Sequence, residues 1–150
     1  GALKAFLDEL DMPLNHIKPH GSLYVMASKD EEMSRAIADA VTPFNVSIYG
    51  MANTAHEKIY KEERKLDFVA EFYADLDYDK NGKLVIAKGK NAIYDSNLAV
   101  ERALRAVSEK KVKTTSGTDI DVGCDTICVH SDTPNAVEII TKLKNALSKK

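Results

Sequence analysis

The chain has 150 residues, 44% hydrophobic and 29% charged, with a formal net charge of −2. That length supports one α/β domain with a real core, and the near-neutral charge excludes a basic footprint for nucleic acid or an anionic membrane. No apolar run approaches a bilayer span and no signal-peptide pattern opens the sequence, so a cytoplasmic setting is expected.

The periodicity predicts a helix over Ala2 to Asp11, then a short strand at Asn15 to Lys18. Pro19 stops that strand because it has no N–H to give a ladder, Gly21 permits a tight path, and Ser22 is placed to cap a helix from Leu23. A second helix is signalled over Asp30 to Val41, with Asp30 as its cap and Met33, Ile37 and Val41 on one face. Pro43 ends it. Val46 to Tyr49 reads as a strand, Asn53 to Arg64 as a helix, and Phe68 to Phe72 as another strand. Asp75 to Asn91 is loop-rich, with a turn at Lys80-Asn81-Gly82. Asp95 to Glu109 is helical, Lys110 to Asp121 suggests a hairpin turning at Ser116-Gly117, and Thr126 to His130 reads as a buried strand. Thr133 is expected to cap a last helix opening on Pro134, whose lysines (Lys142, Lys144, Lys149, Lys150) suit its carboxyl end.

Strand and helix alternate, which argues a parallel sheet with right-handed crossovers. In such folds ligands bind at the carboxyl ends of the strands. Lys18 and His20 fall at one such end. A lysine there suits a carboxylate or phosphate, and a histidine there suits general acid–base work. His130 and Asp132 fall at another, just before a helix N-terminus. Asp132 there also suits capping that helix. Glu71 alternates within a third strand, facing the interior or solvent, and Asp75 closes it; two carboxylates at one strand end can position water, while a loop Asp also suits a turn. His16 is expected to point away from any site, and His56 to be a surface or capping residue. Cys124 and Cys128, one before a strand and one within it, are expected to lie beyond disulfide reach.

Some motifs are excluded. Asp77-Tyr78-Asp79-Lys80-Asn81-Gly82 opens like a calcium loop, but its closing position is Lys88, which repels a cation. There is no Walker-type phosphate loop, no G-x-S-x-G elbow and no clustered metal motif, so no metal ligand set is expected.

Three ordered blocks carry a resemblance. Lys18-Pro19-His20-Gly21-Ser22-Leu23-Tyr24 resembles the KPHGALY signature of the LamB/YcsF family, the A subunits of 5-oxoprolinase. Val69 to Asp75 with Asp79 to Val85 is similar to its EVFADR…ADGxLV block, and Asp125 to Pro134 is similar to its DTICVHGDTP block. The chain departs from these at Leu76, where the family commonly has Arg, at Val25 for Asn and at Ser131 for Gly.

The resemblance implies an α/β fold: part of a distorted (β/α) barrel of the glycoside hydrolase/deacetylase type. The family's DLNADxGE, CGFHAGD-like and GAHPS motifs are missing, so residues 1–150 are expected to be one α/β domain, the C-terminal part of a longer barrel. About four strands of the barrel would leave a sheet edge open, a place for a homo-oligomer or a separate N-terminal half. The implied activity is ATP-dependent opening of 5-oxoproline to glutamate, with Mg, in a complex with two partner subunits. His20, His130 and Asp75 are then expected to be catalytic, and Lys18, Gly21, Tyr24 and Asp132 to bind the small-molecule substrate. The alternatives are a metal-dependent deacetylase-like hydrolase, or a non-catalytic fragment or binding subunit.

Overall fold

The computed structural model describes residues 1–86 and 95–148. Lys88, Lys149 and Lys150 lie outside the described residues. The chain divides into two compact units, Gly1–Val69 and Ala70–Lys150.

The first unit opens on helix α1 (Ala2–Glu9), shorter than its periodicity predicts because Asp11 turns left-handed at φ 51°. Strand β1 (His16–Ile17) pairs in parallel with β2 (Ser47–Gly50), His16 opposite Ser47 and Ile17 opposite Ile48. Between them run α2 (Gly21–Ala27) and α3 (Glu31–Val41). Asp30 caps α3 as expected, accepting from the Met33 N–H at 3.0 Å. The buried face of α3 is Ser34, Ala38 and Val41 rather than Met33, with Ile37 half-buried. Pro43 breaks α3 into a 3-10 turn, Thr42–Phe44, closed by a left-handed Asn45.

The expected helix at Asn53 to Arg64 is instead a π-helix over Glu57–Glu63, closed by Arg64 N–H donating to the Ile59 carbonyl at 2.8 Å. Residue propensity does not separate the two windings, so packing selects the wider one. It carries Ile59 and Tyr60 into the core with Ala38, Val41 and Ile48, and Ile17, Leu66 and Phe68 pack against them.

Strand β3 (Phe68–Tyr73) is continuous, and the division between the units falls within it, after Val69. In the second unit β3 pairs in parallel with β8 (Thr126–Cys128), matching Glu71 to Thr126, Phe72 to Ile127 and Tyr73 to Cys128. The stretch read as a loop forms a small antiparallel pair, β4 (Asp77–Tyr78) with β5 (Leu84–Val85). Its turn is made by the Asp79 carboxylate, which accepts from the N–H groups of Asn81 and Lys83, with Gly82 at φ +75°. The predicted hairpin is present as β6 (Lys111–Lys113) and β7 (Asp119–Asp121).

Helix α4 (Ser96–Glu109) is capped by Asp95 and packs on α5 (Ala136–Leu147); α4 buries Ala99, Ala103 and Ala106, and α5 buries Ile139 and Leu143. Small residues on α4 let the two helices approach closely. The alternation of parallel strands and helices is therefore as the sequence order predicts. Cys124 and Cys128 are free thiols.

Candidate active site

The parallel register of β3 and β8 builds the centre of the second unit. Continued two residues past Tyr73 and Cys128, it sets Asp75 opposite His130, both at strand carboxyl ends. Asp75 is fully buried and accepts from the His130 N–H at 2.7 Å and from Thr133 Oγ1 at 2.8 Å. His130 Nδ1 lies 3.0 Å from Asp75 Oδ1. Burial alone pushes the Asp75 carboxyl up, but the bonds from the His130 ring and backbone and from Thr133 outweigh it and hold the group below the usual carboxylate range. An ionised carboxylate only accepts, so His130 Nδ1 carries the proton, and in the neutral ring Nε2 is left as a base. The imidazole is 40% exposed, open enough to meet a reacting group.

Thr133 differs from its expected role. Helix α5 begins at Ala136 behind Asn135, with no side-chain cap, and the Thr133 hydroxyl goes to Asp75 instead. The cause is the turn in which Thr133 N–H donates to the His130 carbonyl at 3.2 Å, folding the hydroxyl back over the strand end. A buried carboxylate needs donors more than an exposed helix start does. Asp132 is exposed, and its side chain makes no hydrogen bond among the described residues.

Behind His130, the Tyr73 ring stacks on the imidazole with centroids 5.6 Å apart at 23°. The Tyr73 hydroxyl donates to Glu71 Oε2 at 3.0 Å, and both residues are buried. Glu71, which the strand pattern alone leaves facing either side, thus faces the interior.

In the first unit, the Lys18-Pro19-His20-Gly21 corner places its residues differently from one another. His20 is the N-cap residue of α2 but is exposed and contributes no cap bond from its side chain. The helix starts at Gly21, two residues before the expected Leu23, because Gly21 takes φ +59° and turns the chain into it directly. Ser22 therefore lies inside α2 rather than capping it. Tyr24 is buried, and Lys18 Nζ sits 5.7 Å from its ring centroid, a cation–π distance. His16 stacks on Tyr49 at 4.0 Å, away from that corner.

His56 overturns its expectation outright. It is completely buried, edge-on to Tyr24 at 4.7 Å and stacked on Tyr60 at 5.1 Å. Its Nδ1 accepts the Met51 N–H at 3.2 Å, so the ring is neutral with its proton on Nε2. Burial drives its pKa down to about 4, the Tyr24 carbonyl pulling part of the way back. A signal was available in the sequence: His56, Ile59 and Tyr60 share the spacing of an inward helical face.

No group of three His, Cys, Asp or Glu that could hold a metal is found among the described residues. The Asp75 oxygens are already taken by His130 and Thr133. Among the described residues no helix is long and apolar enough to cross a membrane.

A strand-end carboxylate–imidazole pair on alternating parallel strands and helices defines an α/β protein with its candidate chemistry at the strand termini. The sequence matches the LamB/YcsF family over residues 1–150, and the chain belongs to that family. It is 39% identical over 99% of its length to the A subunit of 5-oxoprolinase from Campylobacter jejuni subsp. doylei. It is 40% identical over 98% to the protein of that name from Oceanobacillus iheyensis. The crystal structure of the lactam utilization protein from Thermus thermophilus superposes with a TM-score of 0.88 at 37% identity, covering 99% of this chain and 60% of that one. The fold is thus that of the lactam utilization protein, as the motifs imply. The chain spans 59% and 58% of the two curated relatives.

Proposed function

We propose that the chain takes part in opening 5-oxoproline to glutamate, as part of the A subunit of a 5-oxoprolinase that works with two partner subunits. The observation that carries this reading is the buried Asp75 carboxylate fixed on His130 Nδ1. The relatives' name, as A subunits of 5-oxoprolinase, and the lactam utilization protein's fold support the substrate class.

Ring opening needs a water oxygen delivered to the lactam carbonyl and a proton delivered to the leaving nitrogen. His130 Nε2 takes the proton from water as the new C–O bond forms. It returns that proton to the nitrogen as the C–N bond breaks, leaving glutamate with a free amine. Asp75 holds the ring in the tautomer that permits both steps and offsets the imidazolium charge between them. Lys18 is assigned an anionic group of the substrate, and His20 a second proton-transfer role. Gly21 and Tyr24 are assigned to shaping the substrate contact, and Asp132 to orienting water. ATP with Mg is part of the proposal through the family, and no step is routed through it.

The test is glutamate formation from 5-oxoproline and ATP by this chain with its partner subunits, compared with His130→Ala. Glutamate from the wild type that falls by about 10³ or more in the variant is expected. A cooperatively folded wild-type chain that forms none, or a variant as active as the wild type, overturns the reading.

A further inference from the structure

Glu71 and Tyr73 are spaced by two within β3, so both side chains leave the strand on the same side, and Asp75 stands in the bend two residues beyond the strand end. Two of them meet His130: Asp75 at the ring edge through Nδ1, and Tyr73 against the ring face. The third, Glu71, meets Tyr73 through the phenol. We infer that Tyr73, anchored by Glu71, is a positioning residue that sets the plane of the His130 imidazole. The inference deepens the proposed proton-transfer role of His130 and rests on it for its catalytic meaning.

The physical need is clear from the geometry. The bonds to Asp75 fix one ring atom, but a side chain hinged at Cβ and held at Nδ1 can still tilt about that hold. Nε2 lies on the far side of the ring and sweeps the widest arc when it tilts. A flat surface against the ring face removes that freedom, and offset stacking at 5.6 Å with 23° between planes supplies one.

Tyr73 can serve as a fixed surface only if it is itself fixed, and the structure holds it from two directions. Its hydroxyl donates to Glu71 Oε2 at 3.0 Å. Its backbone N–H donates to the buried Tyr78 hydroxyl at 2.9 Å, and Tyr78 in turn stacks on Phe72 at 5.6 Å and 9°. A bond from a phenol to a carboxylate is among the stronger neutral-donor bonds. A core that required only volume at these places would be served by Phe and Leu, without burying a carboxylate at 5% exposure.

The test measures ring order directly by relaxation of the His130 imidazole Cε1–H in the labelled chain, wild type against Tyr73→Phe. Phenylalanine keeps the stacking surface and loses the anchor. The expected result is an order parameter for His130 that drops into the flexible range, below about 0.6, while the His56 and His16 rings stay as they are. Glu71→Met removes the acceptor while keeping volume, and is expected to reproduce the loss even if the phenylalanine variant does not fold. Combined with Tyr73→Phe it is expected to add nothing, because both break one bond. In the assembled enzyme Tyr73→Phe is expected to lower kcat about tenfold with KM unchanged. His130 order equal to the wild type in a folded variant overturns the inference. The ring measurement needs no turnover, so it can fail while the proton-transfer reading stands, and the reverse.

Discussion

Asp75 and His130 are brought together by strand register: each lies two residues beyond a matched pair, Tyr73 with Cys128, in a parallel ladder. Their meeting therefore depends on backbone geometry that a side-chain substitution leaves in place. Asp75→Asn keeps the shape and one oxygen but removes the charge that decides which ring nitrogen carries the proton. The expected loss in kcat for glutamate formation is on the order of 10³, with KM little changed. Nitrogen shifts of the His130 ring should show the Nδ1–H form depleted. A variant with wild-type kcat would remove Asp75 from the mechanism.

His56 gives the fold a defined pH response. Its pKa is about 4 in the folded chain against an ordinary 6.5, so between those values the unfolded chain binds a proton that the folded one refuses. Stability is full above about pH 6.5 and falls as the pH drops toward 4, below which both states are protonated. The shift corresponds to roughly 3 kcal/mol at the acid end of that window. Urea unfolding of the wild type at pH 7 and pH 4.5 should show most of this loss. His56→Gln should unfold at nearly the same urea concentration at both values. A wild-type midpoint that does not move would mean that the ring is protonated in the folded chain.

How much of this was legible in the sequence divides along physical lines. The Asp30 cap, the Asp95 to Glu109 helix and the hairpin at Ser116-Gly117 are local signals and sit where their residues place them, whereas the strand expected to run to His130 ends at Cys128. The three motif blocks resemble those of the LamB/YcsF family, and the family match spans residues 1–150. What stayed hidden was set by long-range packing. Thr133 leaves its helix for a carboxylate 58 positions earlier in the chain. His56 is drawn inward by Tyr24 and Tyr60, and the π-helix beside it has no local signature. Polar residues were the ones misplaced, because a hydroxyl or imidazole follows whichever partner burial supplies.

Gly50 is constrained by what surrounds it rather than by its backbone angles. A Cβ there would stand 2.8 Å from Phe68 Cε2 and 2.9 Å from His56 Cβ, closer than carbon atoms pack. His56 is clamped between two tyrosine rings, and Phe68 packs against Tyr60 with ring centroids 6.4 Å apart. Gly50→Ala should therefore destabilise the chain by about 1–3 kcal/mol. Thermal unfolding measures this, and a melting temperature equal to the wild type would show that the β2 end relaxes freely. If His56 moves to make room, the acid-sensitive window described above should shrink in the same variant.

Lys18 offers the sharpest separation of binding from chemistry. Its ammonium stands 5.7 Å from the Tyr24 ring centroid, and that ring is held edge-on by His56 at 4.7 Å. A charge held over a buried aromatic face is oriented, which suits an anchor for an anionic substrate group. Lys18→Met keeps the aliphatic stem and loses the charge. In the assembled enzyme it should raise KM for 5-oxoproline about tenfold with kcat nearly unchanged, the signature of an interaction made equally in ground and transition states. Tyr24→Leu, which removes the face beneath the ammonium, should raise KM less, by roughly 3-fold, since a cation–π contact is worth about 0.5–1 kcal/mol at a partly exposed site. If Lys18→Met instead lowers kcat and leaves KM alone, the ammonium stabilises charge that develops during the reaction, and its place is with the proton-transfer groups rather than the substrate anchor.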